Sequence, residues 1–271
     1  MDGLQGQAST LKRLNHPSDD PAAATKVLEL RSEKVTTDQF HMNAQLAEHM
    51  LSNADSALSE FVDIVLRAKD IALRQAGLSN GDESNMGVSE EVASLHDQAI
   101  AVANVRVGDR YLFGGYQVTK PPVDVDGNYH GDQGQAYVDV GPSVRLAINV
   151  PGPQIWDVGE DVNLFQELSH LKISLAVGDQ LSTRGSLDRL DALHAHLVAM
   201  RAKLGSRLAG IGAAAQTLDR HVATNIQLIS KLEDADIAQV VTELGKQEAL
   251  FKSSLATSKR LIQPTLLDFL R

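Results

Sequence analysis

Cysteine is absent from all 271 residues, and with it go disulfides, zinc–thiolate centres and thiol nucleophiles. Aromatic residues are scarce at 4 %, so a core has little bulky filler. Basic side chains are in deficit, with 25 Lys and Arg against 35 Asp and Glu and a formal charge of −10. That balance argues against nucleic acid as a partner, because phosphate recognition needs clustered Lys and Arg. No apolar run approaches the ~20 residues that span a bilayer, and no signal peptide opens the chain. Membrane insertion and a cleaved leader are therefore not expected. What is present is 43 % apolar residues in a chain long enough for one large domain or two modest ones.

Composition divides the chain into zones. Residues 1–112 and 187–271 are rich in Ala, Leu, Gln and charge, whereas 113–160 crowd Gly, Pro, Val, Tyr and Asp together. The flanks read as helix and the middle as strands and turns. His16-Pro17 turns the chain away from helix, and Ser18-Asp19-Asp20-Pro21 places a capping carboxylate, Asp20, before a proline at the first helical position. From Phe40 a 3,4 spacing runs through Ala47, Met50, Ala54, Ala57, Phe61, Ile64, Ala68 and Ile71, broken once by Asn43. This predicts a narrow heptad seam, alanine-rich enough for close helix approach. Gly77 and Ser79-Asn80-Gly81-Asp82 end that helix.

A second helix is predicted from about Ser89 to Arg106, capped by Ser89. Arg110 to Tyr116 marks the change to extended structure, and Val125-Asp126-Gly127-Asn128-Tyr129 is a hairpin signal. Ser143–Val150 alternates as a strand and stops at Pro151-Gly152-Pro153. Asp161 is expected to cap a shorter helix that ends at Gly178-Asp179, and Thr183-Arg184-Gly185-Ser186 reads as loop. A long helix then follows from Leu187 with a seam at Leu204, Leu208, Ile211, Ala215, Leu218, Val222, Asn225, Ile229 and Leu232. Glu233-Asp234-Ala235-Asp236 interrupts it, and Pro264 is expected to break the last apolar segment.

Helices of about 40–45 residues measure roughly 60–70 Å. A compact chain of this size is about 48 Å across. The expected fold is therefore mainly α with a small β-rich insert (α+β), an elongated rod of long antiparallel helices with the β domain at the far end. The expected layout is an N-terminal helical arm (1–112), the β-rich insert (113–160) and a short helix and loop returning to the rod (161–186). A long C-terminal helix (187–236) and a C-terminal assembly segment (237–271) complete it.

No catalytic constellation passes a spacing test, so no enzyme, cofactor or metal site is expected. His194 and His196 are two apart on a helix and face different directions. His41 and His49 have no carboxylate at a useful offset. Asp124-Val125-Asp126-Gly127-Asn128 departs from a calcium loop, with glycine fourth rather than sixth and Gln135 at position twelve. Gly108 and Gly114-Gly115 form no phosphate cradle. Ser18-Asp19-Asp20 suits capping better than acid–base work.

The chain end is unusually apolar. Ile237, Val240, Val241, Leu244, Phe251, Leu255, Leu261, Ile262, Leu266, Leu267, Phe269 and Leu270 exceed the needs of one seam. Either this segment folds back to complete the bundle, or it is an assembly surface awaiting another subunit. The second reading is preferred, because residues 1–16 are short and polar.

Several motifs together resemble a known family. Lys12-Arg13-Leu14-Asn15-His16-Pro17-Ser18-Asp19-Asp20-Pro21-Ala22 resembles the amino-terminal signature of the flagellin superfamily in the form seen in flagellar hook–filament junction proteins. Flagellins themselves usually carry a Ser-Ala-x-Asp-Asp-Ala-like version without the two prolines. Arg110-Tyr111-Leu112-Phe113-Gly114-Gly115 and Gly127-Asn128-Tyr129-His130-Gly131-Asp132 are similar to that family's central segments. Glu233-Asp234-Ala235-Asp236-Ile237-Ala238 and Leu266-Leu267-Asp268-Phe269-Leu270-Arg271 resemble its carboxyl end. The family normally has residues before the stretch near Leu4, so this chain is expected to begin inside the terminal helix.

The resemblance implies a structural subunit of the bacterial flagellum, secreted through type III export without a cleaved signal peptide. Its implied partners are copies of itself in a ring, the adjacent hook-associated protein, flagellin and an export chaperone on the apolar carboxyl end. Two other readings stay open: a filament-forming flagellin, and a cytoplasmic coiled-coil adaptor.

Overall fold

The computed structural model describes residues 2–77, 82–159 and 161–267, without the side chains of 2, 82–84 and 260–267. The fold is mainly α with a small β part. Seven helices occur among the described residues: α1 (Asp2–Thr10), α2 (Pro21–Ala76), α3 (Asp82–Ala103), α4 (Pro153–Trp156), α5 (Leu164–Ala176), α6 (Gln180–Glu233) and α7 (Ile237–Leu267). Six short strands pair antiparallel in three two-stranded sheets. These are β1 (Arg106–Val107) with β2 (Arg110–Tyr111), β3 (Tyr137–Gly141) with β4 (Val144–Ala147), and β5 (Asp157–Val158) with β6 (Val162–Asn163). Two compact units share the chain: residues 1–38 with 219–271, and residues 39–218. Helices α2 and α6 contribute to both.

In the 39–218 unit, α2 and α6 run antiparallel. Arg201 Nε donates to Asp55 Oδ1 at 3.2 Å, Lys69 pairs with Asp191, and the Arg184 guanidinium donates to Ala76 O at 3.0 and 3.2 Å. The predicted seam residues Ala47, Met50, Ala54, Ala57, Phe61, Ile64, Ala68 and Ile71 are all buried. A third stripe at seven-residue spacing, Ala44, Leu51, Leu58, Val65 and Ala72, is buried with them. The seam is therefore broader than a two-helix coiled coil requires. The reason is that α3, α5 and the insert also pack on α2, and three neighbours need a wide apolar face.

Several predicted boundaries move. Helix α3 starts at Asp82 rather than Ser89, and Ser89 is a buried interior residue whose Oγ donates to Lys172 O of α5 at 3.0 Å. Asn163, not Asp161, caps α5, accepting from Phe165 N at 2.9 Å and Gln166 N at 3.1 Å. The stretch 183–186 is helix rather than loop. Asp179 accepts from Leu181 N and Ser182 N at 3.0 and 3.1 Å and starts α6 at Gln180. Its weak helix formers Thr183 and Ser186 are buried, so packing overrides their propensity. Helix α7 continues through Pro264 to Leu267. The predicted strand 143–150 shortens to Val144–Ala147.

The insert is joined to the helices at two places. Val140 and Ile148 of the β3–β4 hairpin region pack on Ala44, Ala47 and Leu51 of α2 and Ile211 of α6. That hairpin packs on the two helices because its inward residues need an apolar wall. Asn43, the one polar position in the α2 seam, meets it there, and its Nδ2 donates to Asp139 O at 2.8 Å. Elsewhere Trp156 is fully buried among Phe61, Phe113, Tyr129 and Phe165, with centroids 6.1, 5.9, 5.7 and 5.3 Å away. Five of the eleven aromatics thus meet at one point, where the insert, α2 and α5 converge.

The Asp-Gly segment makes a loop closed by a single bridge, Val123 to Tyr129, rather than a ladder. Asp124 organises it, accepting from the backbone amides of Asp126 and Asn128, the Asn128 side chain and His130. The hydrogen bond with His130 and those from Asn128 hold its carboxyl well below the ordinary range. Gly127 sits at φ +84°, and a Cβ there would lie 2.6 Å from Phe165 Cβ. Gly127→Ala is expected to cost about 1–3 kcal/mol through strain and overpacking, read as a lowered denaturant midpoint at unchanged slope. An unchanged midpoint would refute this account of the loop.

Candidate assembly surface

The unit formed by residues 1–38 and 219–271 holds the carboxyl segment singled out by sequence. Helix α7 begins where Asp236 caps it, its Oδ1 accepting from Ala238 N and Gln239 N at 3.0 and 3.2 Å. The turn before it is fastened to the amino-terminal segment. Arg13 N donates to Glu233 O at 2.7 Å, Ala235 N donates to Leu11 O at 3.0 Å, and Arg13 Nη2 donates to Leu232 O at 2.9 Å. Leu11 adopts φ +58° to make this pairing.

Glu233 is the centre of the fastening. Its side chain is buried, and Lys12 Nζ and Arg31 Nη2 each reach its carboxylate at 2.7 Å. Burial pushes this carboxyl up, but the hydrogen bonds and charges of Lys12 and Arg31 outweigh it and hold the group below its ordinary value. The two aspartates of the amino-terminal motif divide the remaining work. Asp19 Oδ2 accepts from Asn15 N and His16 N at 3.0 and 2.8 Å and closes the loop, and the His16 amide bond lowers its pKa. Asp20 Oδ1 accepts from Ala23 N at 3.0 Å and caps α2 as predicted.

Short helix α1 packs against α7. The predicted surface residues accordingly separate. Val240, named among the assembly residues, is instead buried inside the unit, and Leu244 is half-buried. Ile237, Val241, Phe251 and Leu255 are each more than half exposed, as is Leu250 beside them. Leu261, Ile262, Leu266 and Leu267 stand on the last turns of α7, but their side chains, and all of Phe269 and Leu270, lie outside the described residues. Together with half-buried Leu244 and exposed Glu248, the exposed residues Ile237, Val241, Phe251 and Leu255 keep a 3,4 rhythm. This is the pattern of a helix seam without a partner. Sequence reading identified the apolar load but missed the Lys12–Glu233–Arg31 cluster. Its members lie 202 and 221 positions apart, and no local pattern links them.

His196 Nε2 lies 3.0 Å from Gln154 O. Among the described residues, no three His, Asp or Glu side chains are grouped to hold a metal ion. Among them also, no helix is long and apolar enough to cross a membrane.

Residues 1–118 match the family described as the bacterial flagellin N-terminal helical region. The chain is 25 % identical to flagellar hook-associated protein 3 of Salmonella typhimurium, across 94 % of this chain and 88 % of that protein. It is 22 % identical to flagellin of Listeria monocytogenes across 94 % and 86 %. The solved structure of a putative flagellar hook-associated protein from Vibrio parahaemolyticus covers 80 % of this chain and all of its own, with a TM-score of 0.74 at 20 % identity. The chain is thus similar over nearly its whole length to a flagellar hook-associated protein, and its first 118 residues match the helical region of flagellin.

Proposed function

We propose that this chain is a structural subunit of the bacterial flagellum, joining the hook-associated region to the flagellin filament by helix-mediated assembly into a ring. The observation that carries the reading is the unpartnered apolar seam of α7 on a chain similar to hook-associated protein 3 over nearly its whole length. The seam needs a helix from outside its own unit, and neighbouring subunits supply one. Partners are copies of itself, the adjacent hook-associated protein and flagellin. Segment 237–271 is the assembly segment, and an export chaperone covers it before secretion to the extracellular flagellum. The role is structural rather than enzymatic.

A deletion strain tests this. Cells lacking the gene are expected to shed flagellin into the medium and lose motility, and wild-type protein restores both. A triple Leu250→Ser, Phe251→Ser, Leu255→Ser variant is expected to be stable but not to restore filaments. Retained filaments in the deletion strain would remove the junction role. Long fibres grown from seeded purified protein would favour the flagellin reading. Chaperone binding that survives loss of 237–271 would place the chaperone elsewhere.

A further inference from the structure

Helices α2 and α6 are of similar length but are built differently. The 56 residues of α2 contain no glycine, whereas α6 carries Gly205, Gly210 and Gly212 within eight positions. Packing does not demand them. A Cβ at any of the three would meet nothing within 4 Å beyond its own stretch of helix, and none adopts a positive φ. Glycine in a helix interior weakens it relative to alanine. Ser206 beside Gly205 completes a Gly-Ser pair, a common place for helices to kink. Anchoring thins over the same stretch. From Leu190 the buried positions follow every three or four residues, through Leu193, Leu197 and Met200 to Leu204. Of the described residues between Leu204 and Leu218, Ile211 alone is buried. We propose that residues 205–212 are a compliant segment of α6, opening and bending while the helix on either side persists, and that the β3–β4 hairpin is the brace that limits it.

Weak helix formation and sparse burial are separate properties, and each is tolerated alone in a long helix. Where they coincide, local opening costs less than in the neighbouring turns. The hairpin supplies the opposing hold. Val140 and Ile148 close over Ile211, with Leu208 and Ala214 packed at the edge. The one buried residue of the stretch is thus gripped by the insert and by Ala44, Ala47 and Leu51 of α2. Asn43 Nδ2, donating to Asp139 O, fastens the hairpin to glycine-free α2. Bending then lengthens a few i→i−4 hydrogen bonds on the exposed side of α6, where Gly205 and Gly210 stand, and leaves the packing around Trp156 intact. The inference concerns the mechanics of the 39–218 unit and does not rest on the junction reading.

Hydrogen exchange of the full chain, read amide by amide, tests it. Protection at 207–213 is expected to be about tenfold or more below that at 190–200 of the same helix. Replacing the three glycines together (Gly205→Ala, Gly210→Ala, Gly212→Ala) is expected to raise protection at 207–213 about tenfold or more and to leave 190–200 unchanged. Ile148→Ala loosens the brace. It is expected to lower protection at 207–213 several-fold in the unaltered chain and far less in the triple-alanine chain. Because the chain has no cysteine, Ala199→Cys with Ala213→Cys accepts a pair of spin labels, about 21 Å apart along the helix axis. Their distance distribution is expected to be broad and to narrow in the triple-alanine chain. Even protection along α6, a triple-alanine chain no better protected than the original, or identical label distributions would each overturn the compliant segment. An Ile148→Ala effect of equal size in both chains would remove the hairpin's part. The cell assay of filament retention reads none of these, so the two ideas fail separately.

Discussion

Glu233→Ala is expected to expose the amino-terminal segment to trypsin at Lys12 and Arg13 at least tenfold faster than in the unaltered protein. The substitution removes one buried carboxylate and leaves two cations, Lys12 and Arg31, without their partner. Breaking a fully buried pair costs about 3–5 kcal/mol. Both cations here are nearly half exposed, so water recovers part of that loss. About 2 kcal/mol remains, equal to one to two powers of ten in the open population. Cleavage at Lys12 and Arg13 reports the amino-terminal segment, whereas a melt would average the whole chain.

The same cluster has a defined pH dependence. Its folded carboxyl lies below the ordinary value of 4.5, so the unfolded chain binds the proton more readily. Stability from this group is complete above the ordinary carboxylate range and disappears as pH falls through the lowered value. Amide exchange at residues 11–14 is expected to be slow at about pH 6 and, at a pH below the ordinary carboxylate range, to move toward that of the Glu233→Ala protein. Equal protection at both pH values in the unaltered protein would show that backbone pairing alone holds the segment.

The second large effect belongs to Trp156. Trp156→Ala empties the point where Phe61, Phe113, Tyr129 and Phe165 converge. A loss of about 3–5 kcal/mol is expected from the transfer and cavity contributions together. For a unit of this size that lowers the melting temperature by about 10 °C. Trp156→Phe keeps most of the contact and is expected to lose less than half as much. A Trp156→Ala protein melting with the unaltered one would mean that the hairpin contacts with α2 and α6 hold the insert instead. Asn149 ties the insert together internally. It accepts from Ala136 N at 2.8 Å and donates to Gly115 O and Gly134 O at 3.3 and 3.0 Å.

Much of this architecture was legible in the chain. The Asp20-Pro21 start of α2, its end near Gly77, the Gly178-Asp179 stop and the Glu233–Asp236 break all depend on local backbone chemistry. Caps and turns act over a few residues, and so they can be read from a few residues. The errors have one kind of cause. Stretch 183–186 looks like loop by propensity, yet buried Thr183 and Ser186 and the Asp179 cap make it helix. The seam of α2 looked narrow because its third stripe, from Ala44 to Ala72, has meaning only once three neighbours are in place.

The candidate surface divides in the same way. Its apolar excess was evident from composition, and the exposed positions Ile237, Val241, Phe251 and Leu255 were among those named. That Val240 turns inward could not be read, since nothing local says where α1 comes to rest. The Ser18-Asp19-Asp20 motif was recognised as capping, but its neighbours Lys12 and Arg13 gave no sign of reaching Glu233.

By itself the amino-acid order determined where α2 begins and stops, where α6 gives way to α7, which faces are oily and that an antiparallel return is needed. Those follow from hydrogen bonding and periodicity within a few turns of chain. Only the folded molecule decided that Lys12, Arg31 and Glu233 meet, that the aromatics gather on Trp156, and which stripe of α7 stays bare. Each of these is a contact between distant positions, and its energy exists only after the intervening chain has been placed.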